Sequence, residues 1–193
     1  MGGDPLRETL SAYCKRTGLE AVLEQWDTGR NLPLTPDNTS YGSKRKVWWR
    51  CGKGHRWQAA VHTRTGSGTG CPVCDGKVAQ AGENDLATRC PDLARQWHPT
   101  RNGDLIPEQV LPGSHRMVWW VCEKGHVWRA QIKSRVAGCG CPVCANREVR
   151  PGENSLSARY PQLAAQWHPT KNGSLTPEQI PPGTTRKVWW RCE

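Results

Sequence analysis

The chain contains no phenylalanine, and only 36% of its 193 residues are hydrophobic, at a mean hydropathy of −0.74. That shortage excludes one large apolar core and points to small units that each bury little surface. No run approaches the roughly 18 apolar residues of a membrane-spanning helix, so no membrane association is expected. The opening MGGDPLRETL lacks the apolar stretch of a secretory signal, and Leu6 stands where an N-myristoylation signal carries Ser or Thr. A cytoplasmic protein is expected. Neither a GxxxxGK phosphate loop nor a serine-nucleophile motif occurs, and no catalytic activity is expected. Acids are missing locally as well. Lys44 to Arg64 holds seven cations (Lys44, Arg45, Lys46, Arg50, Lys53, Arg56, Arg64) and no Asp or Glu.

What is abundant is tryptophan and cysteine, eleven and ten residues, and both recur at a period of 70 to 71. Trp26, Trp97 and Trp167 mark the period, as do the pairs Trp48/Trp49, Trp119/Trp120 and Trp189/Trp190. Cys51, His55, Cys71 and Cys74 return as Cys122, His126, Cys141 and Cys144. A fixed period with matched landmarks is the signature of a tandem array. Three modules are expected: residues 1–75 with a divergent N-terminal part, 76–146, and 147–193, the last ending before a metal site closes.

Four Cys or His donors on two short loops satisfy tetrahedral zinc. Cys51-Gly52-Lys53-Gly54-His55 and Cys71-Pro72-Val73-Cys74 are such loops. No fifth donor recurs at a matched position, which implies a closed structural site and argues against catalytic zinc. Two zinc ions are expected, and Cys192, the counterpart of Cys51 and Cys122, is expected to be a spare thiol. Ten cysteines also suit a disulfide framework, but that belongs to secreted chains. His98 and His168 are expected in turns, and Cys14, Cys90 and Cys139 have no thiol at the matched position of another copy.

Within the second copy, Asn84 reads as an N-cap, Pro91 opens a helical run carrying Leu93, Ala94 and Trp97, and Asn102-Gly103 supplies positive-φ turn residues. A strand is expected after Pro112-Gly113, and His126 to Arg135 as its return strand. The fold class is therefore small zinc-stabilised α+β modules, β-hairpins with short helices.

Strand alternation sorts the first hairpin onto two faces. Val47, Trp49, Trp57, Ala59 and Val61 fall inside with the metal. Lys46, Trp48, Arg50, Arg56, Gln58, His62 and Arg64 fall outside, and Arg129, Gln131, Lys133 and Arg135 take that outer face in the second copy. Aromatic rings among cations hold phosphates and stack bases, and a net charge of +10 suits a polyanion. The expected nucleic-acid contacts are Lys46, Trp48, Arg50, Arg56, Arg64, Arg129, Lys133 and Arg135, with DNA ahead of RNA. Packing of Trp48 and Trp119 against helices is the competing reading of those rings.

The segments WHPTKNGSLTPEQ, KVWWRC, KGH and GCPVC make the chain similar to the bacterial probable zinc-ribbon domain family across nearly all of residues 19–193. The resemblance implies a treble-clef-like or ribbon fold, with Cys51, His55, Cys71, Cys74 and their second-copy counterparts as ligands. It also implies a likeness to nucleic-acid-binding zinc modules, often joined to endonuclease-like domains. Two alternatives follow: a protein-interaction or spacer array, and the targeting part of a nuclease whose catalytic domain is not in this sequence. A His-Asn-His nuclease needs paired histidines around an open metal, and His98 with Asn102 is only a faint echo of that.

Overall fold

The structure, a computed structural model, describes residues 8–192. It divides into two compact units, one ending at Gln80 and one beginning at Ala81.

In the first unit, α1 (Leu10–Thr17) starts at Thr9, whose side chain accepts the Ala12 N–H, and stops at Gly18 in the left-handed region, φ 71°. Two short helices follow, α2 (Glu20–Glu24) and α3 (Thr28–Asn31). Strands β1 (Lys46–Arg50) and β2 (Arg56–Ala60) form an antiparallel hairpin that sets Trp49 opposite Trp57, and α4 (Val61–Gly66) continues from it. Val47 and Trp49 are buried while Lys46 and Arg50 are exposed, as alternation requires. The core gathers Leu10, Cys14, Val22, Trp26, Val47, Trp49 and Val61. Trp26 meets Trp49 edge to face at 5.5 Å, a favoured geometry for two indole rings.

The second unit opens with α5 (Leu86–Arg89) and α6 (Pro91–Ala94), then a single 3-10 turn at Pro107–Gln109. Its hairpin is β3 (Met117–Val121) with β4 (Val127–Gln131), followed by α7 (Ile132–Val136). Leu86, Val110, Val118, Trp120, Trp128, Ile132, Cys141 and Val143 form its core, and Trp97 repeats the edge-to-face contact on Trp120. Helices α8 (Leu156–Arg159) and α9 (Pro161–Ala165) begin the third copy. There Trp190 still bridges to Trp167, but Trp189 and Trp190 are exposed.

Several local expectations change. The return strand ends at Gln131, opposite Met117, the first residue of its partner. Beyond that point the carbonyls of Arg116 and Ser114 take the N–H groups of Ile132 and Lys133, and the chain coils into α7. The cap of α5 is Asp85 rather than Asn84: its carboxylate accepts the Thr88 N–H at 2.9 Å and the Gly82 N–H at 2.8 Å. Ser155 caps α8 in the same way. Helix α6 stops at Ala94, short of Trp97. In the Asn102-Gly103 turn only the glycine takes positive φ, 59°.

Candidate metal centre

Each hairpin ends in a tight turn. Cys51 donates its N–H to the His55 carbonyl at 3.0 Å, and Gly54, φ 90°, donates back to Cys51 at 2.8 Å. The turn places the Cys51 thiol beside the His55 ring. The second loop is a knuckle: the Asp75 N–H reaches the Cys71 carbonyl at 2.9 Å, curling Cys71 and Cys74 toward the same point. Cys122, Gly125 and His126 repeat the first turn, and Cys141 with Ala145 repeats the knuckle.

Among the described residues, two groups bring metal-binding atoms together: Cys51, His55, Cys71, Cys74 and Cys122, His126, Cys141, Cys144. In the first, His55 Nδ1 lies 3.3, 3.5 and 3.4 Å from the sulfurs of Cys51, Cys71 and Cys74, and Cys51 and Cys74 are 3.9 Å apart. In the second the corresponding distances are 3.3, 3.4, 3.2 and 3.9 Å. Zn–S bonds of about 2.3 Å and Zn–N bonds of about 2.0 Å, set tetrahedrally, require S···S edges of about 3.8 Å and S···N edges of about 3.5 Å. The donors fit zinc on chemistry and on edge length, so two Cys3His sites accommodate two zinc ions. Among the described residues the third copy has no complete site.

The thiols show why such a cluster wants a cation. Burial opposes ionisation of Cys51, but the N–H groups of Lys53 and His55 and the neighbouring thiols of Cys74 and Cys71 outweigh it and bring Cys51 down to about 7. Cys74 is pushed up to about 11 by burial and by its two sulfur neighbours. Cys144 is likewise pushed up to about 11, while Cys122 is lowered. Three thiolates cannot ionise together at this spacing unless a dication offsets their repulsion. The remaining cysteines stand outside both groups: Cys14 is fully buried in the first core, Cys90 packs against the second, and Cys139 and Cys192 are exposed.

Two residues expected on the exposed outer face are inside. Arg64 is 4% and Arg135 7% exposed. The strand has already become a helix when each is reached, so two-residue alternation no longer sets its direction. The Arg64 guanidinium lies 5.1 Å from the Trp49 ring and 5.4 Å from Trp57, and donates to the Gln25 side chain. Arg135 sits 5.2 Å from Trp120 and 5.0 Å from Trp128, and donates to Gln96 and to the Cys139 carbonyl. Desolvation lowers the pKa of both, while nearby acidic groups, Asp75 and then Cys71 for Arg64 and Cys141, Cys139 and Cys122 for Arg135, act in the opposite sense. A zinc ion held by three thiolates and a neutral imidazole carries a net charge of −1, which a buried guanidinium offsets.

The other expected contact residues lie at the surface to different degrees. Lys46, Arg50, Arg56, Arg129 and Lys133 are exposed, and Trp48 is half-buried. Arg56 is paired with Asp27 at 2.9 Å. Arg30 covers Trp48 at 4.6 Å, and Arg101 and Arg129 lie 4.9 and 5.7 Å from Trp119. Lys171 stands 5.0 Å from Trp189, so a cation from the turn after the first Trp recurs over the ring in all three copies. Only the repeat spacing of Arg30, Arg101 and Lys171, 71 and then 70 residues, hinted at this in the sequence. His98 and His168 organise turns: each Nδ1 accepts two backbone N–H groups, from Thr100 and Arg101 and from Thr170 and Lys171. Asp27 replaces them in the first copy, capping α3 through the Arg30 N–H.

Glu153 was not among the expected site residues. Its carboxylate contacts Nε2 of His126, the nitrogen turned away from the sulfurs, and His126 holds the Glu153 carboxyl below the usual range.

A family model described as a probable treble clef zinc finger domain matches the chain three times, over residues 22–77, 93–147 and 163–193. No curated protein matches the chain. Among the described residues no helix is long and apolar enough to cross a membrane.

Proposed function

We propose that this chain, which belongs to the probable treble clef zinc finger domain family, is a non-catalytic nucleic-acid-binding array that grips phosphates through its hairpin surfaces. The observation that carries this reading is the exposed set Lys46 and Arg50 on the first hairpin and Arg129 and Lys133 on and just after the second, in a chain of net charge +10. Fixed cations displace the counterions condensed on a phosphodiester chain, which supplies affinity without sequence reading. Arginines already lie against Trp48 and Trp119, so phosphate contact is favoured over base stacking on those rings. Closed Cys3His sites, with no position left for water, support a structural role for the metal and no reaction of the chain's own.

The test is fluorescence anisotropy of zinc-loaded protein with labelled duplex DNA, single-stranded DNA and RNA, titrated with salt. Binding should weaken with a log-log slope of several units. Replacing Lys46, Arg50, Arg129 and Lys133 by Ala should reduce that slope by roughly 0.7 to 0.9 for each phosphate no longer neutralised. Absence of binding even at low salt would sink the proposal and leave a protein-interaction array as the better account.

A further inference from the structure

The Gly-Glu-Asn segment that opens the third copy reaches back onto the metal site of the second. Glu153 contacts His126 Nε2, and His126 is only 3% exposed. Next in sequence, Asn154 is 1% exposed, and its amide is engaged on both sides. The side-chain N–H groups donate to the carbonyls of Val143 and Glu148, both at 2.8 Å, and the side-chain oxygen accepts the Arg150 N–H at 2.7 Å. Val143 lies between the ligands Cys141 and Cys144, so Asn154 fixes the backbone of the knuckle itself. Two residues further, the Leu156 N–H bonds to the Ile180 carbonyl at 2.8 Å, tying the same segment into the third copy.

We propose that Glu153 and Asn154 are positioning residues of the second zinc centre, so that zinc binding by Cys122, His126, Cys141 and Cys144 and the folding of the third copy form one energetic unit. A histidine that ligates through Nδ1 carries its proton on Nε2. A carboxylate accepting a hydrogen bond from that N–H fixes the tautomer and the ring plane and makes the imidazole a better metal ligand. A buried asparagine satisfied on both sides adds direction: removing it strands the buried Val143 carbonyl away from water. Zinc and the third copy therefore stabilise each other reciprocally, as any two linked equilibria must. This coupling involves no nucleic acid, and it stands whether or not the array binds one.

Zinc affinity of the full chain, measured by competition with a chromophoric chelator at neutral pH, tests the proposal. Glu153→Ala should weaken one of the two sites roughly 10- to 100-fold while the other serves as an internal control. Glu153→Gln, which keeps an acceptor oxygen without the charge, should recover part of the loss. In the reciprocal direction, Cys144→Ser should speed amide hydrogen exchange across Leu156 to Trp167. Should Asn154→Ala fail to fold, the two Glu153 variants decide, because that side chain is 43% exposed and carries little of the packing. Two wild-type zinc affinities in Glu153→Ala, or unchanged exchange in Cys144→Ser, would overturn the proposal.

Discussion

Asn102 holds the backbone of Trp119 from both sides: its side-chain oxygen accepts the Trp119 N–H at 2.8 Å, and its side-chain N–H donates to the Trp119 carbonyl at 3.0 Å. Asn31 does the same for Trp48, and Asn172 for Trp189. The amide side chain thus extends the short backbone bridge that Trp97 makes to Trp120 along the edge of the two-stranded hairpin.

Asn102→Ala should therefore cost more than a turn substitution. It leaves the half-buried Trp119 N–H without a partner and the Trp119 carbonyl with the His98 N–H alone, at 3.1 Å, a cost on the order of 1 to 2 kcal/mol. In a module of this size each kcal/mol lowers the melting temperature by roughly 4 to 8 °C, readable by calorimetry on zinc-loaded protein. Asn102→Asp keeps an acceptor but loses the donor and sets a carboxylate against the Trp119 carbonyl, so it should rescue little. A melting temperature unchanged in both variants would show that water replaces the amide.

Arg64 and Arg135 should behave as structural residues. Loss of a desolvated guanidinium from between two tryptophans removes about 2 kcal/mol or more of cation–π stabilisation. Arg135→Ala should destabilise the protein by at least that amount in denaturant melts. Arg135→Lys should restore the charge but not the flat contact with Trp120 and Trp128, nor both hydrogen bonds. Where the variants remain folded, the salt dependence of nucleic-acid binding should match the parent. A reduced slope would put these arginines back on the binding surface.

Zinc removal should unfold the hairpins rather than merely loosen them. The cores are small, and structural zinc contributes apparent free energies on the order of 10 kcal/mol in finger-sized units. Excess chelator should abolish the near-ultraviolet circular dichroism of the buried tryptophans, and added zinc should restore it. The sign of the pH dependence follows from the ligands. Metal binding requires thiolates and a neutral imidazole, so protons compete with zinc, and stability is full above neutral pH and lost as pH falls. Cys51, already lowered to about 7, ionises before Cys74, which is raised to about 11 and needs the metal to do so. Zinc release on alkalinisation between pH 6 and 8 would contradict this ordering.

The repeat register, both ligand sets and the inward face of β1 were legible in the residues alone. Each is a short-range pattern: a Cys and a His four apart on a glycine-rich turn, a Cys-x-x-Cys knuckle, and a two-residue alternation from Val47 to Trp49. Local backbone geometry is enough to bring such groups together, and recurrence at one period marks them as a set. Where an element ends is less local. The alternation read through Arg64 and Arg135 failed because each strand runs out opposite the start of its partner, and the next residues wind into a helix that turns the guanidinium inward. The contact of Glu153 with His126 and the seat of Asn154 under Val143 lay further still from view. Both join residues of successive copies, 27 and 11 positions apart, and such pairs meet only where the chain's path folds one copy's opening segment over the other's knuckle. Spacing identifies the donors of a metal site, whereas the groups that orient those donors are chosen by packing in three dimensions.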